Sequence, residues 1–292
     1  RDDSFGGNPI GNIMIDHCSC SWGLDENISF YRHMYDPGEG YNKEKLPTVN
    51  VTIQNTISSQ ALDTYNHAFG STLGGENCAF VRNLWASNAG RNPSVGWFGI
   101  FNFVNNVVYN WVHRSVDGGD YRAMFNMVNN YYKPGPATPS GTHYFFNQSL
   151  QRDGATSLGP SKWHFSGNIM EGDDAVTADN WKGFKNSTSY SIDDIKVDTI
   201  IQTSGDHDHQ KYHYDWDTYT YKNYETAAEA YESVLAAVGA WPRDLIDTRI
   251  VKSVREGLAP YGNHGIIDLP LQAEGPLAYD TFDRVVDSDG DG

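Results

Sequence analysis

The sequence predicts an all-β solenoid, a single-stranded parallel β-helix. Three observations predict it: a short apolar strand pattern that recurs six times, a polar residue, mostly asparagine, closing each copy, and the fading of that period after about residue 170. The six segments are Ile13-Met-Ile-Asp-His17, Val51-Thr-Ile-Gln-Asn55, Ala79-Phe-Val-Arg-Asn83, Asn102-Phe-Val-Asn-Asn106, Asn126-Met-Val-Asn-Asn130 and Trp163-His-Phe-Ser-Gly-Asn168. Their closing residues are 38, 28, 23, 24 and 38 apart, the spacing of solenoid coils. Asparagine tolerates the left-handed conformation of a sharp turn, and amides stacked from coil to coil can bond to one another. Asn-rich loops of a β-sandwich would not place one amide per period at the same strand offset.

The longer spacings imply loops inserted into particular coils, at Tyr35 to Leu46 and Asp63 to Gly75, where solenoids tend to build a binding face. Thr226 to Gly239 reads as a helix. Thr226 and Glu229 form a capping box, Tyr231, Val234, Leu235 and Val238 make one apolar stripe, and Gly239 stops it. It is expected to pack on or cap the open end of the solenoid. The chain therefore reads as one domain: regular coils over 1–170, C-terminal coils, loops and a capping helix over 171–286, and at 287–292 the start of an acidic linker or calcium repeat around Asp287-Ser-Asp-Gly-Asp291. A start at Arg1 close to a strand pattern suggests a precursor with a signal and further coils upstream, and hence secretion.

Lysine and arginine number 21 against 37 acidic residues, and a net charge of -16 argues against nucleic acid or an anionic membrane surface as the main partner. An acidic ligand would need a local bridge. No run approaches the roughly 20 apolar residues of a membrane-spanning helix. Cys18, Cys20 and Cys78 are odd in number and lack metal-site spacing, so they read as buried free thiols.

If the closing residues stack, residues at equal offsets beyond them should be neighbours, about 4.8 Å apart per coil. Eight residues on stand Asp25, Asp63, Arg91 and Arg114, two acids beside two arginines. Asp16, Asp25 and Glu26 would together offer three carboxylates to a hard, oxygen-preferring cation such as Ca²⁺, which could bridge protein to substrate carboxylates. The plainer readings are a turn residue at Asp16, a solvated loop at Asp25-Glu26, and a structural ion pair of Arg91 with Asp25 or Asp63. Trp22, Trp85, Trp97 and Trp111 read as core more than as sugar platforms.

The run Ile15-Asp-His-Cys-Ser-Cys-Ser-Trp-Gly-Leu-Asp-Glu-Asn-Ile-Ser29 resembles the strand and calcium segment of polysaccharide lyase family 1, the pectate lyases, and Ala89-Gly-Arg-Asn-Pro93 resembles their Arg-x-Pro catalytic segment. Asn105-Asn-Val-Val-Tyr-Asn-Trp111 and Asn129-Asn-Tyr-Tyr-Lys-Pro-Gly-Pro136 look like the following coils of the bacterial branch. The resemblance spans about residues 10 to 140. It implies a right-handed parallel β-helix, Ca²⁺ as cofactor, an acidic polysaccharide as partner, a monomer, Asp16 and Asp25 as calcium ligands, and Arg91 as the base that takes the C5 proton of a uronate. His67 lies near where the family places a substrate-binding Lys, with Arg114 and Asp63 beside it. The family commonly has an Asp where this chain has Ser29, a carboxylate that Glu26 would supply here, and a second Arg where Gly96 stands.

The reaction implied is cleavage of polygalacturonate by β-elimination, with an alkaline optimum because a guanidine must be neutral to act as base. A β-helix could instead carry an inverting hydrolase built on paired carboxylates such as Gly172-Asp-Asp174, or only bind glycans. Asp206-His-Asp-His209 with His213 reads as a solvated loop more than a metal site.

Overall fold

The computed structural model describes residues 2–96, 99–119, 123–148, 160–201 and 224–274. They form the expected right-handed parallel β-helix. Strands Phe5–Gly6, Glu26–Phe30, Phe69–Gly74, Ser94–Gly96, Val116–Gly118, Phe146–Gln148 and Phe184–Asn186 make the first sheet. Gly11–Asp16, Val49–Gln54, Glu76–Val81, Ile100–Val104, Met124–Val128 and Lys162–Ser166 make the second. The third holds Ser19–Ser21, Ile57–Ser59, Leu84–Ala86, Val107–Tyr109, Tyr131–Lys133 and Ile169–Met170. Each coil passes from the second sheet to the third and then to the first, so every strand pairs in parallel with its counterpart one coil away.

The corner between the second and third sheets is two residues long, and the asparagines explain it. Its first residue is left-handed in every coil: His17 (φ 50°), Asn55 (49°), Arg82 (58°), Asn105 (55°), Asn129 (52°) and Gly167 (67°). The second turns its side chain inward. Asn106 Oδ1 accepts from the Asn83 backbone N at 2.9 Å and from Asn83 Nδ2 at 3.1 Å, while Asn106 Nδ2 donates to Phe80 O at 2.9 Å. The pattern repeats at Asn130 and Asn168 and ends on Asn180. Each buried amide thereby satisfies both itself and the corner of the coil before it.

The ladder corrects the repeat by one residue in the first two coils. Ile13 pairs with Val51 and Val51 with Cys78, not Ala79. The inward column therefore reads Cys18, Thr56, Asn83, Asn106, Asn130 and Asn168, while His17 and Asn55 hold the left-handed position. Thr56 Oγ1 still accepts from Cys18 N at 3.3 Å, a longer version of the same bond made by a shorter side chain.

Inward residues of the three sheets fill one core, with aromatic neighbours on successive coils such as Phe80 and Phe101 (centroids 4.5 Å apart) and Phe125 and Trp163 (3.8 Å). Trp85 and Trp111 are buried in it, as expected, and Trp22 packs on Leu62 and Ile267. Trp97 lies outside the described residues. All three cysteines are free, Cys20 and Cys78 buried.

The helix Ala227–Ala237 has the expected capping box, Glu229 N donating to Thr226 Oγ1 and Thr226 N to Glu229 Oε2. Its position differs from the expectation. With a second helix, Leu245–Glu256, it lies along the flank of the third sheet: Val234, Leu235, Val238, Ile250, Val251 and Val254 pack on the outward Ile57, Leu84, Ala86, Val107 and Tyr109. The C-terminal end of the core is instead covered by Asp174–Ala178 and Asn180–Gly183, whose Val176 and Trp181 pack on it. Asp173 caps that short helix through Val176 N, so the acidic pair Asp173-Asp174 starts a helix. Of the two loop insertions, the first is an antiparallel hairpin, Arg32–Tyr35 with Glu44–Pro47; the second is shorter than expected, because Phe69–Gly74 is a first-sheet strand. Asp206 to His213 and Asp287 to Asp291 lie outside the described residues.

Candidate active site

The outward face of the first sheet carries the charged residues. Glu26 opens the strand Glu26–Phe30 and pairs in register with Phe69 on the next coil, and Phe69 bridges to Gly90 on the third. Arg91 follows that bridge, so Glu26 and Arg91 meet across Phe69. Arg91 Nη1 forms an ion pair with Glu26 Oε1, and Thr72 Oγ1 donates to the same oxygen at 2.6 Å. The Arg91 guanidinium lies on the Phe69 ring, 4.0 Å from its centroid, and its Nε is buried without a partner. The ring packs the guanidinium on one side while offering no acceptor, which leaves the donor geometry to Glu26 and to whatever enters the site.

Asp3, Asp25 and Glu26 each bring a carboxylate oxygen within 4.8 Å of the others. Asp3 arrives because Phe5–Gly6 forms a rung below Ile28–Ser29, and Glu26 N donates to Asp3 Oδ1 at 3.1 Å. Desolvation pushes Glu26 up to about 7 against the pull of Thr72 and Arg91, with the Asp25 charge adding to the rise. Three oxygen donors, one held in a destabilised charged form by burial and like charge, suit a hard divalent cation, whose charge would relieve that cost.

His67 joins the group: its Nε2 is 3.5 Å from Asp25 Oδ1, its Nδ1 is 3.1 Å from Tyr65 O, and its ring lies 4.6 Å from that of Phe69. Arg114 stands one coil beyond Arg91, its stem over Gly90 and its Nε paired with the buried Asp117. The predicted column of charges is broken at Asp63. Because Glu26 pairs with Phe69, the residue level with Asp25 is Ala68, and the extra residues of the second coil carry Asp63 into a loop that pairs with Ile267. There burial pushes its carboxyl up, Asp268 adds to the rise, and His113 and His67 oppose it. Asp63 thus stays at the border of the site.

Asp16 is not brought to the carboxylate group. It ends a second-sheet strand, where it accepts from Asn55 Nδ2 at 2.9 Å and meets His17 Nδ1 at 2.8 Å, whereas Asp25 sits at the corner between the third and first sheets. Asp3 takes the third place. Ser29 is buried and pairs in register with Gly6 of the first rung. Asp3, Phe69 and Thr72 were not expected from the sequence, and strand alternation gives no signal for them, since it would set Glu26 on the inward face with Ile28 and Phe30.

No family model matches the chain. It is similar to "Probable pectate lyase C" of Aspergillus terreus, 31% identical over 304 residues that cover 97% of the chain and 57% of that protein. The protein of the same name from Aspergillus fumigatus is 29% identical over 293 residues, again 97% of the chain and 57% of the relative. That of Neosartorya fischeri is 36% identical over 136 residues, 44% of the chain and 27% of the relative. These relatives are fungal, so the bacterial branch suggested by the later coils finds no support. The chain spans little more than half the length of the first of these relatives, and across nearly all of its own length it is similar to proteins named as probable pectate lyases.

Proposed function

We propose that the protein is a secreted, monomeric polysaccharide lyase that cleaves α-1,4-linked polygalacturonate by calcium-assisted β-elimination. The observation that carries the reading is that Glu26 is shared between Arg91 and the carboxylate group it forms with Asp3 and Asp25 on the outward face of the first sheet. The similarity to the fungal proteins supports it. Asp3, Asp25 and Glu26 would hold Ca²⁺. A calcium ion bound there would neutralise the uronate carboxylate and withdraw charge from C5.

Arg91 is then the base. Its guanidine accepts the C5 proton, the C–H electrons form the C4–C5 double bond, the C4–O bond breaks, and the leaving oxygen takes a proton from water. A guanidinium is ordinarily too weak an acid for this role. Glu26 holds the guanidine in place through its ion pair, and Arg114, tied to Asp117, stands on the next coil. His67 orients Asp25, and Phe69 fixes the plane of Arg91.

Polygalacturonate, highly methylated pectin and alginate, each incubated with the protein and Ca²⁺, test the reading. Ultraviolet-absorbing unsaturated product from polygalacturonate is expected. New reducing ends without that absorbance would mean hydrolysis, and binding without cleavage would mean a glycan-binding solenoid.

A further inference from the structure

Lys162–Ser166 is the last strand of the second sheet, and among the described residues no strand pairs with its outer edge. Two other pieces of chain reach that strand. Lys196 bridges to Trp163, and Val197 N donates to Trp163 O at 2.8 Å. The turn Asn180–Gly183 docks through Asn180 Oδ1, which accepts from Asn168 N at 2.8 Å, and through Trp181, whose ring lies edge-on to Phe165 (centroids 5.0 Å apart) and Phe184 (5.3 Å). A cleft of about 470 Å³ remains between these pieces, and its lining includes His164, Ser166, Asp179, Trp181, Lys196 and Asp198. Small-molecule sites occupy roughly 300–1,000 Å³, so the cleft has room for a ligand of that class.

The lining suits an uncharged ligand rich in hydroxyls. His164 is buried, and its Nδ1 lies 3.1 Å from Val197 O. A carbonyl only accepts, so Nδ1 carries the proton and Nε2 of the neutral ring is an acceptor; Nε2 has no protein partner among the described residues. Asp179 caps the turn, its Oδ1 accepting from Trp181 N at 3.2 Å, and Asp198 is paired with Lys196 at 3.2 Å. Acceptors for hydroxyl protons therefore predominate. Two carboxylates against one ammonium disfavour an anion. A metal ion is disfavoured too, because His164, Asp179 and Asp198 are not among the groups that converge to ligand distance within the described residues. The half-buried Trp181 ring, fixed by its two phenylalanine neighbours, supplies the flat face on which a sugar can stack.

We propose that this cleft binds a neutral saccharide, with Trp181 as the platform and His164 Nε2 and the Asp179 carboxylate as acceptors for its hydroxyls. The cleft lies at the last strand of the second sheet, whereas Arg91 and the carboxylate group stand on the first, and the two places share no residue. It is therefore independent of the lyase reading. Such a site holds the protein on a glycan without acting on it.

Saturation-transfer NMR titrations with β-1,4-galactotetraose, cellotetraose and α-1,5-arabinotetraose, none of which carries a carboxylate, test the site. At least one is expected to bind with a dissociation constant of about 1 mM. His164→Asn keeps a donor for Val197 O and removes the Nε2 acceptor, so it should weaken that binding about 5-fold at an unchanged melting temperature. Trp181→Leu should weaken it about 10-fold, and Arg91→Lys should leave it unchanged. No binding of any of the three at about 10 mM would overturn the site. So would binding that His164→Asn and Trp181→Leu leave intact, or binding lost in Arg91→Lys, which would move it to the first sheet. Binding that depends on His164 in a protein that forms no unsaturated product with Ca²⁺ would keep the cleft and remove only the lyase reading.

Discussion

The first and third sheets are built from the same coils and meet opposite fates. Outward from the third sheet, Ile57, Leu84, Ala86, Val107 and Tyr109 are apolar and lie under two helices. Outward from the first stand Glu26, Thr72, Arg91 and Asp117, with no helix over them among the described residues. The inward side is alike in both, so the corner chemistry that makes a coil says nothing about its outer faces. Each outer face is decided separately: apolar residues there recruit a cover, and charged ones leave a surface for a ligand.

Substitutions on each face should break this contrast in different ways. Arg91→Lys keeps a cation beside Glu26 but loses the planar guanidine, and kcat on polygalacturonate should fall about 10³-fold with little change in melting temperature. A structural ion pair would tolerate the change. On the covered face, Leu235→Ala should cost about 3 kcal/mol in denaturant unfolding and leave kcat of the folded protein unchanged. Between the faces, Asn106→Ala removes the acceptor for Asn83 and its own donor to Phe80 O, and should cost about 2 kcal/mol by the same measurement.

The pH dependence follows from Glu26. In the cation-free protein its folded value of about 7 lies above the ordinary 4.5, so below about 7 a cation must displace a proton from it. At sub-saturating Ca²⁺, where the cation must displace the Glu26 proton, activity should rise toward the alkaline side, and a pH–rate profile peaking in mild acid would contradict both Glu26 and Arg91 in their roles. The sign for stability is opposite: the folded state holds the extra proton, so the cation-free protein should be more stable at about pH 4.5 and lose that contribution as pH rises through about 7. Thermal melts across this range check it. The smallest effect expected is at Asp3→Asn, which keeps the acceptor for Glu26 N and removes one charge; calcium affinity should weaken about 5-fold by calorimetry.

The fold was legible wherever one residue type must fill one geometric need. Asn83, Asn106, Asn130 and Asn168 mark their corners because no shorter side chain makes all three ladder bonds. The register of the first two coils was not legible, since Cys18 and Thr56 stand in the column and Asn55 beside it looks like the ladder residue. The helix Leu245–Glu256 had its signals in Asp244, Asp247 and Gly257, the last at φ 67°, but went unread next to the stronger capping box at Thr226. In the site, Asp25, Glu26, His67 and Arg91 converge because their coils are in register. Asp3 was hidden because a two-residue strand delivers it, and Asp63 misled because five inserted residues moved it off the column. Asp16 shared the motif with Asp25 but not the sheet.

The central claim is that the open face performs cation-assisted elimination, and cation dependence tests it most directly. Initial rates of ultraviolet-absorbing product from polygalacturonate are measured first with chelator and then as Ca²⁺ is restored. The account predicts no product with chelator and recovery that saturates with Ca²⁺ in the wild type, shifted to higher Ca²⁺ in Asp3→Asn. Product formation at full rate in chelator, or recovery unchanged by Asp3→Asn and Glu26→Gln, would contradict it.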